Sequence, residues 1–280
     1  KKSTDDGLQD AKEMLRRSEI AVLEEMKDHT TSAHTDLISL YEKTRQEFNG
    51  TLLKLDAETA LADIYESMSA EIWNKKFQEV QKDAIKTGET LLKKINPRTH
   101  QLNGSDMADV DILAIIADIQ EKTGDVKAAK ENWTKAAKLY AERIRASGEP
   151  NHRGYSLERA YCLSKAGKVA EAEAIYTKFE KLFPLEFTFY FAHGKMLMRQ
   201  KKWAEALPKM DEAVMHGYGD NKLRAIDAKA QILDSLGRTK EALVLIRETV
   251  KKTILPDDPT ISTNRYIKAL KKLETSYSAK

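Results

Sequence analysis

Residues 187–220 read FTFYFAHGKMLMRQKKWAEALPKMDEAVMHGYGD, and this stretch decides the fold. Within its 34 residues, Gly194 is followed twelve positions later by Ala206, with the short polar turn 200–202 between them. Two helices joined by a tight turn approach each other closely only where both carry a small side chain. The segment therefore predicts a helix pair whose crossing point lies at Gly194 and Ala206.

The same arrangement recurs in three other places in the second half of the chain. The small residue of the first helix recurs as Ala117, Ala160, Gly194 and Ala230. The small residue of the second helix recurs as Ala129, Ala172, Ala206 and Ala242, and a large apolar residue follows as Trp133, Tyr176, Met210 and Ile246. Each of these columns advances by 43, 34 and 36 residues. Such agreement is typical of a repeat array in which stacked units form the core together.

This pattern resembles the tetratricopeptide repeat family over about residues 110–256. The 34-residue unit of the family matches best within residues 187–220, at Tyr190, Gly194, Leu197, Trp203, Ala206, Met210 and Ala213. The resemblance implies an all-α fold, a right-handed solenoid of helix pairs with an N-terminal helical extension and a C-terminal capping helix. The sequence departs from the family pattern at three positions. Phe179 and Thr249 stand where the pattern has a small residue, and Lys201 stands in place of a turn glycine. These departures affect the local geometry of the units, not the assignment of the repeat.

The sequence divides into three predicted regions. Residues 1–105 form an N-terminal helical region, in which degenerate repeats are an alternative to unrelated helices. Residues 106–256 contain four repeat units, at 110–143, 153–186, 187–220 and 223–256. Residues 257–280 form the capping helix, which we expect to begin at an N-cap of Thr260 or Ser262 and to bury Tyr266, Ile267, Leu270 and Leu273 on one face.

Four helices are predicted in the N-terminal region, at about 5–27, 33–48, 51–68 and 71–95, with a helix break and new cap at about 30–32. Apolar residues at Met14, Ile20, Leu23 and Met26 predict the inner face of the first helix. The polar stretch 98–106 is the expected boundary between the two halves of the chain.

Composition limits the classes of function. Across 280 residues the net charge is +3, and 32% of residues are charged, with bases and acids interleaved at helical spacing. This balance does not favour a nucleic-acid partner. No apolar run approaches the roughly 18 residues of a membrane span. The sequence starts at Lys1 without a methionine, so we expect a processed or trimmed product.

No motif for catalysis or cofactor binding is present in the sequence. The six histidines have no zinc-binding spacing, and Cys162 has no second cysteine with which to pair. Asp106, Asp109 and Asp111 lack the glycine and glutamate of a calcium loop, so we interpret them as charges near a helix N-terminus. We expect His193 to be a hydrogen-bonded packing residue. The sequence therefore predicts no enzyme, no catalytic residue, no metal and no cofactor, with an unrecognised active site as the alternative.

In the tetratricopeptide repeat family, the first helix of each unit lines a concave groove where ligands usually lie. The resemblance therefore implies a partner-binding groove lined by Tyr161, Phe191, Lys195, Met198, Arg199, Arg224 and Gln231. Its aromatic centre fits an apolar segment and its basic edge fits acidic residues. A protein- or peptide-binding adaptor or scaffold is the predicted function.

A structural alternative stays open at this point. The N-terminal helices could fill the groove or pair between chains, as in an oligomerisation module of a bacterial exported assembly. Residues 217–221, GYGDN, are similar to repeat segments that follow thioredoxin-like domains in some exported bacterial proteins. That weaker resemblance slightly favours an exported or periplasmic location.

Overall fold

The computed structural model describes residues 2–26, 31–66, 71–102, 108–258 and 261–279. Within these ranges the chain forms thirteen α-helices and no strand, with isolated bridges between Ile95 and Leu102 and between Gln101 and Ala108. The predicted all-α class is confirmed. The chain divides into two compact units, Lys1–Ala136 and Ala137–Lys280, and the boundary falls inside one helix.

The helices of the first unit are α1 (Lys2–Met26), α2 (Thr31–Glu47), α3 (Leu52–Glu66), α4 (Glu71–Leu92), α5 (Asp109–Lys122) and the first part of α6 (Val126–Ser147). The predicted break before α2 and the predicted boundary loop lie partly outside the described residues, at 27–30 and 103–107. One core joins α1–α4 around Leu37, Leu61 and Val80. A second joins α3, α4 and α5 around Leu55 and Ile116.

The prediction for the inner face of α1 is half wrong. Ile20 and Leu23 pack against the first core, as predicted. Met14 and Met26 instead face solvent, with 70% and 45% of their surface exposed. The apolar residues of α1 form two stripes on different sides of the helix, and only one stripe lies against α2.

Arg16 occupies the inner side of α1, together with Ile20 and Leu23. It is only 8% exposed. Its Nη1 donates a hydrogen bond of 2.9 Å to Thr44 Oγ1, and its Nη2 lies 2.7 Å from a carboxylate oxygen of Glu47. A buried guanidinium is tolerated only when such partners replace water, and α2 supplies both of them.

The second unit contains the end of α6, three further helix pairs and a last helix. The pairs are α7 (Arg153–Lys165) with α8 (Val169–Leu182), α9 (Phe187–Arg199) with α10 (Trp203–His216), and α11 (Gly219–Ser235) with α12 (Thr239–Lys252); α13 (Ser262–Ser278) follows. The turn between the two helices of each pair contains one residue whose backbone has the left-handed conformation. Gly167 and Gly237 have φ angles of 83° and 75°, and Lys201 adopts the same conformation at 59° despite its side chain.

The predicted crossing residues lie at closely packed helix contacts. Ala160, Ala172, Ala206, Ala230 and Ala242 are fully buried in the second unit. A Cβ atom added to Gly194 would lie only 2.8 Å from Met210 Cε and 3.7 Å from the carbonyl oxygen of Ala206. The spacing of small residues in the sequence therefore correctly located the close approach of α9 and α10.

Phe179 shows how the second unit accommodates a large residue where the repeat pattern expects a small one. Its side chain is 2% exposed, and its ring stacks on Phe189 with 4.8 Å between ring centroids. The first helix of the next pair thus supplies an aromatic ring that packs against Phe179. The departure changes local packing and leaves the helix pairing intact.

Helix α13 ends the array as predicted, apart from its cap. Ile267 and Leu270 are buried against α11 and α12, and Tyr266 and Leu273 pack against the same cluster. The N-cap is Ile261, so the predicted cap at Ser262 is wrong, and Thr260 lies outside the described residues.

The first two residues of α13 contact α11 through their side chains. The hydroxyl of Ser262 donates to a carboxylate oxygen of Asp220, and Thr263 Oγ1 donates to the other at 2.6 Å. These hydrogen bonds lower the pKa of Asp220. The polar start of α13 therefore holds the helix onto its neighbour, while Ser262 leaves the backbone uncapped.

Candidate functional site

The predicted groove residues of the second unit lie on α7, α9 and α11, the first helices of three consecutive pairs. α7 contacts α9 and α9 contacts α11, although a second helix separates each two in sequence. Side chains from all three helices therefore share one surface. We call this surface, with its residues Tyr161, Ser164, Phe191, Lys195, Arg199, Arg224, Asp227 and Gln231, the first-helix face.

An arginine of α9 covers an aromatic ring of α7. The guanidinium carbon of Arg199 lies 5.4 Å from the centre of the Tyr161 ring. Arg199 Nη2 also donates a 2.9 Å hydrogen bond to Ser164 Oγ. The tyrosine is half-buried and the arginine is exposed, so the guanidinium is held in place while its outer side faces solvent.

The same relationship recurs one helix further along. The guanidinium carbon of Arg224 on α11 lies 4.9 Å from the centre of the Phe191 ring on α9. The Phe187 ring stacks on the Phe191 ring, with 5.0 Å between the two phenyl centroids. Arg224 Nη1 lies 3.3 Å from Asn221 Oδ1, which orients the guanidinium further.

Lys195 on α9 and Asp227 on α11 are both half-buried, and each influences the pKa of the other. Burial lowers the pKa of Lys195, and Asp227 opposes this effect. Burial likewise raises the pKa of Asp227, and Lys195 together with a 2.7 Å hydrogen bond from Gln231 Nε2 acts against it. Burial thus disfavours the charged form of each group, and the opposite charge of the other group acts against this effect.

Six of the seven predicted groove residues are accessible from solvent, and one is not. Tyr161, Phe191, Lys195 and Gln231 are half-buried, and the two arginines are exposed. Met198 is 8% exposed, so it supports the face from below and offers little surface to a partner. The assignment of these residues to partner binding stays a prediction.

Sequence reasoning missed a depression beside the N-terminal ends of α7 and α9. It has a volume of about 460 Å³ and is lined by Glu149, Asn151, His152, Arg153, Gly154, Leu157, Phe183, Glu186, Thr188 and Phe189. Arg153 lies over the Phe183 ring at 5.1 Å and forms an ion pair of 2.7 Å with Glu186. The residues that line the depression come from two segments that lie far apart in the sequence. No local sequence motif therefore indicates it.

Beneath the first-helix face, His193 is a packing residue, as predicted. It is 2% exposed, and its Nδ1 lies 2.7 Å from Glu180 Oε1. Cys162 is also buried. In the part of the chain that the structure describes, no three His, Cys, Asp or Glu side chains are grouped to hold a metal ion. Across those same ranges, every helix is too short or too polar to cross a membrane.

The first-helix face offers two arginine–aromatic pairs and a side-chain amide that donates to Asp227. Cations fixed over aromatic rings can bind a carboxylate, and the rings beside them can bind apolar groups.

Comparison with known proteins agrees with the repeat geometry. A family model described as tetratricopeptide repeat matches residues 121–184 and 163–221. A search of the curated proteins found no match.

Several solved structures are similar at low identity. A thermophilic TPR protein of Thermus thermophilus is 19% identical, with 76% of this chain and 98% of that one covered and a TM-score of 0.38. MamA AMB-1 is 18% identical, with 60% and 86% covered and a TM-score of 0.35. The TPR2AB domain of yeast Sti1, in a pHSP90 complex, is 17% identical, with 95% and 99% covered and a TM-score of 0.36.

The family match covers the part of the chain in which the repeat columns are most regular. It includes the pairs α7–α8 and α9–α10, whose crossing residues and connecting turns have the predicted positions. Residues 121–221 of this chain therefore match the tetratricopeptide repeat family.

Proposed function

We propose that this chain is a protein-binding scaffold, and that the first-helix face binds a peptide segment of its partner. The observation that carries the proposal is the repeated pairing of an exposed arginine with a half-buried aromatic ring, Arg199 with Tyr161 and Arg224 with Phe191. A fold that only needed to stack its helices would gain little from guanidinium groups held over rings on its surface.

These pairs suit a partner that carries both apolar and acidic side chains. A guanidinium fixed over a ring loses less conformational freedom on binding than a free one. Its N–H groups can donate two parallel hydrogen bonds to a carboxylate. Phe191 and Tyr161 present flat apolar surface next to each cation. Aromatic and arginine residues also dominate the energetics of protein interfaces.

The charge of the first-helix face supports an acidic partner. Lys195, Arg199 and Arg224 are cationic, whereas Asp227 is the one carboxylate among the residues of the face. The surplus of positive charge attracts an acidic segment, and salt should weaken this attraction. Burial lowers the pKa of Lys195, and the Asp227 carboxylate acts against this shift.

The proposal is tested by partner capture followed by affinity measurement. The full chain is used to capture a protein from native extract, and the captured protein is then titrated against variants. Replacing Phe191→Ala together with Arg199→Ala should weaken binding at least tenfold, which corresponds to about 1.4 kcal/mol. The melting temperature of each variant is measured alongside, because Phe191 is half-buried.

Two further variants sharpen the result. Arg224→Lys keeps the charge but loses the planar contact with Phe191, so binding should weaken by several-fold. A control pair, Lys181→Ala with Lys251→Ala, removes two exposed positive charges away from the face and should leave binding unchanged. If the control pair weakens binding as much as the groove variants, net charge rather than the first-helix face selects the partner.

A further inference from the structure

The side of α1 that faces solvent is apolar. Leu8, Met14, Leu15, Val22 and Met26 are exposed by 56, 70, 63, 56 and 45%. With 100° between successive residues of a helix, they lie within one broad sector. Small exposed residues fill the same sector, namely Ala11, Ser18 and Ala21, and among residues 8–26 only Glu25 adds a charge to it. We call this sector the outer face of α1.

The outer face is distinct from the side that α1 uses to fold. Arg16, Ile20 and Leu23 lie on the opposite side and contact α2 and the first core. A surface helix normally carries charged residues on the side away from its core. A contiguous apolar surface there is typical of an interaction site, because exposing it to water is unfavourable.

The spacing of the outer face favours another helix as its occupant. Leu8, Leu15 and Val22 follow one another at seven-residue steps, which is the repeat that keeps two helices in contact along their length. Ala11 and Ser18 lie between them and let a second helix approach closely. A second α1 offers the same repeat over the same length.

The charges at the edge of the outer face select the orientation. Lys12 and Glu19 lie on the same edge, on either side of Leu15 along the chain. If two copies pack antiparallel around a two-fold axis at Leu15, Leu8 of one copy lies opposite Val22 of the other. Lys12 then lies within one residue step, about 1.5 Å, of the level of Glu19 of the second copy. In a parallel pair in register, the edge that carries Lys12 and Glu19 would lie on opposite sides of the two copies, so these two residues would not meet.

We propose that the outer face of α1 is a dimer interface, at which α1 packs antiparallel against α1 of a second copy of this chain. From Leu8 to Met26 the helix is about 27 Å long. A contact of this length between two single helices is small for a protein interface, so the dimer exchanges with monomer as concentration changes. Bringing two chains together also brings two first-helix faces into one molecule, which strengthens binding to a partner with repeated segments.

The proposal is tested by sedimentation velocity of the full chain over a concentration series of about 1–100 µM. The wild type should shift from monomer to dimer across the series. Leu15→Glu should weaken association at least tenfold, because it places two carboxylates together at the axis. Its circular dichroism and melting temperature should not change, since the Leu15 side chain is exposed. Leu185→Glu is the matched control, because Leu185 is 77% exposed in the second unit.

A mixing experiment tests the register at Leu15. Leu15→Glu and Leu15→Lys should each be monomeric alone, and an equal mixture of the two should form a mixed dimer. This rescue requires that position 15 faces position 15 of the second copy. A wild type that stays monomeric throughout the series, or a dimer that Leu15→Glu does not weaken, overturns the proposal. A mixture that stays monomeric overturns the antiparallel arrangement around Leu15.

Discussion

The Nδ1 atom of His193 on α9 lies 2.7 Å from Oε1 of Glu180 on α8, and both residues are almost completely buried. Nζ of Lys209 on α10 lies 2.6 Å from the other carboxylate oxygen. Burial alone would raise the pKa of Glu180, but the hydrogen bonds from His193 and Lys209 lower it. One carboxylate thus connects three consecutive helices of the repeat array.

We predict that Glu180→Gln makes stability less dependent on pH in the acid range. The folded-state pKa of Glu180 lies below its value in the unfolded chain. The ionised carboxylate therefore contributes stability above the unfolded value of 4.5, and this contribution is lost as the pH falls through the folded pKa. The free energy of unfolding of the wild type should fall more steeply between about pH 5 and 3 than that of the variant.

The measurement is urea unfolding at a series of pH values. At neutral pH, Glu180→Gln should cost about 1–3 kcal/mol, because it weakens a buried charge-assisted contact. Glu173→Gln, on the same helix but outside this network, serves as the control and should keep the wild-type slope. Parallel slopes for Glu180→Gln and wild type would show that Glu180 does not govern the acid response.

Ala206→Leu should destabilise the protein by about 1–3 kcal/mol, the usual range for overpacking a tight contact. Ala206 is fully buried, and its carbonyl oxygen would lie 3.7 Å from a Cβ atom at Gly194. Ala204→Leu is a matched control, because Ala204 lies in the same turn of α10 and is exposed. Thermal melting compares the two variants. Equal melting temperatures for Ala206→Leu and wild type would contradict the close crossing of α9 and α10.

The helix pairs were predictable because their signal is repeated and local. A crossing such as Gly194 with Ala206 needs two small residues at a fixed distance across one turn, and the chain repeats that requirement several times. Even Lys201 follows the rule for its position, since it adopts the left-handed conformation of the turn glycines that it replaces. Because the small and the large residues recur along the sequence with the same steps in several independent columns, few folds other than a helical repeat are compatible with it.

Helix α1 was harder to predict because periodicity does not say which apolar stripe is covered. Met14 and Met26 fit a helical pattern, yet they face solvent. Arg16 is buried because Thr44 and Glu47 of another helix satisfy its guanidinium. A sequence window on α1 alone contains no information about those partners, so the polar side of this helix cannot be predicted from it.

The candidate site was predictable residue by residue but not contact by contact. The repeat pattern placed Tyr161, Phe191 and Arg224 on first helices. Their pairing depends on how far neighbouring units are displaced: Arg199 lies 38 residues from Tyr161, and Arg224 lies 33 residues from Phe191. These offsets differ from each other and from the repeat length, so spacing alone does not identify the pairs.

A buried carboxyl in the first unit leads to the opposite pH prediction. Glu58 is fully buried, and burial raises the pKa of its carboxyl to about 6. Because the folded pKa lies above the unfolded value of 4.5, the stability that Glu58 contributes is present below that value and is lost as the pH rises through 6. At alkaline pH the buried, ionised carboxylate of Glu58 therefore destabilises the folded state.

Glu58→Gln should therefore raise the free energy of unfolding by up to about 2 kcal/mol near pH 8 and change it little near pH 4. Urea unfolding of variant and wild type at both pH values measures this difference. Glu89→Gln, exposed on α4, is the control and should have no pH-dependent effect. A gain of equal size at both pH values would mean that packing, not ionisation, explains the variant.

The last prediction concerns α13, whose Leu270 is fully buried among Leu223, Ile226 and Ile246. Leu270→Ala should cost about 2–5 kcal/mol, the range for removing a large buried side chain. In a repeat array each unit contacts mainly its neighbours. The loss of local stability should therefore be largest in α11, α12 and α13 and smallest in α7 and α8. Hydrogen exchange followed by mass spectrometry should show faster exchange in the first group and wild-type rates in the second. Lys271→Ala, exposed on the same helix, should leave both groups unchanged. If Leu270→Ala accelerates exchange equally in α7 and α8, the second unit unfolds as a single cooperative block, and α13 stabilises the first-helix face as a whole.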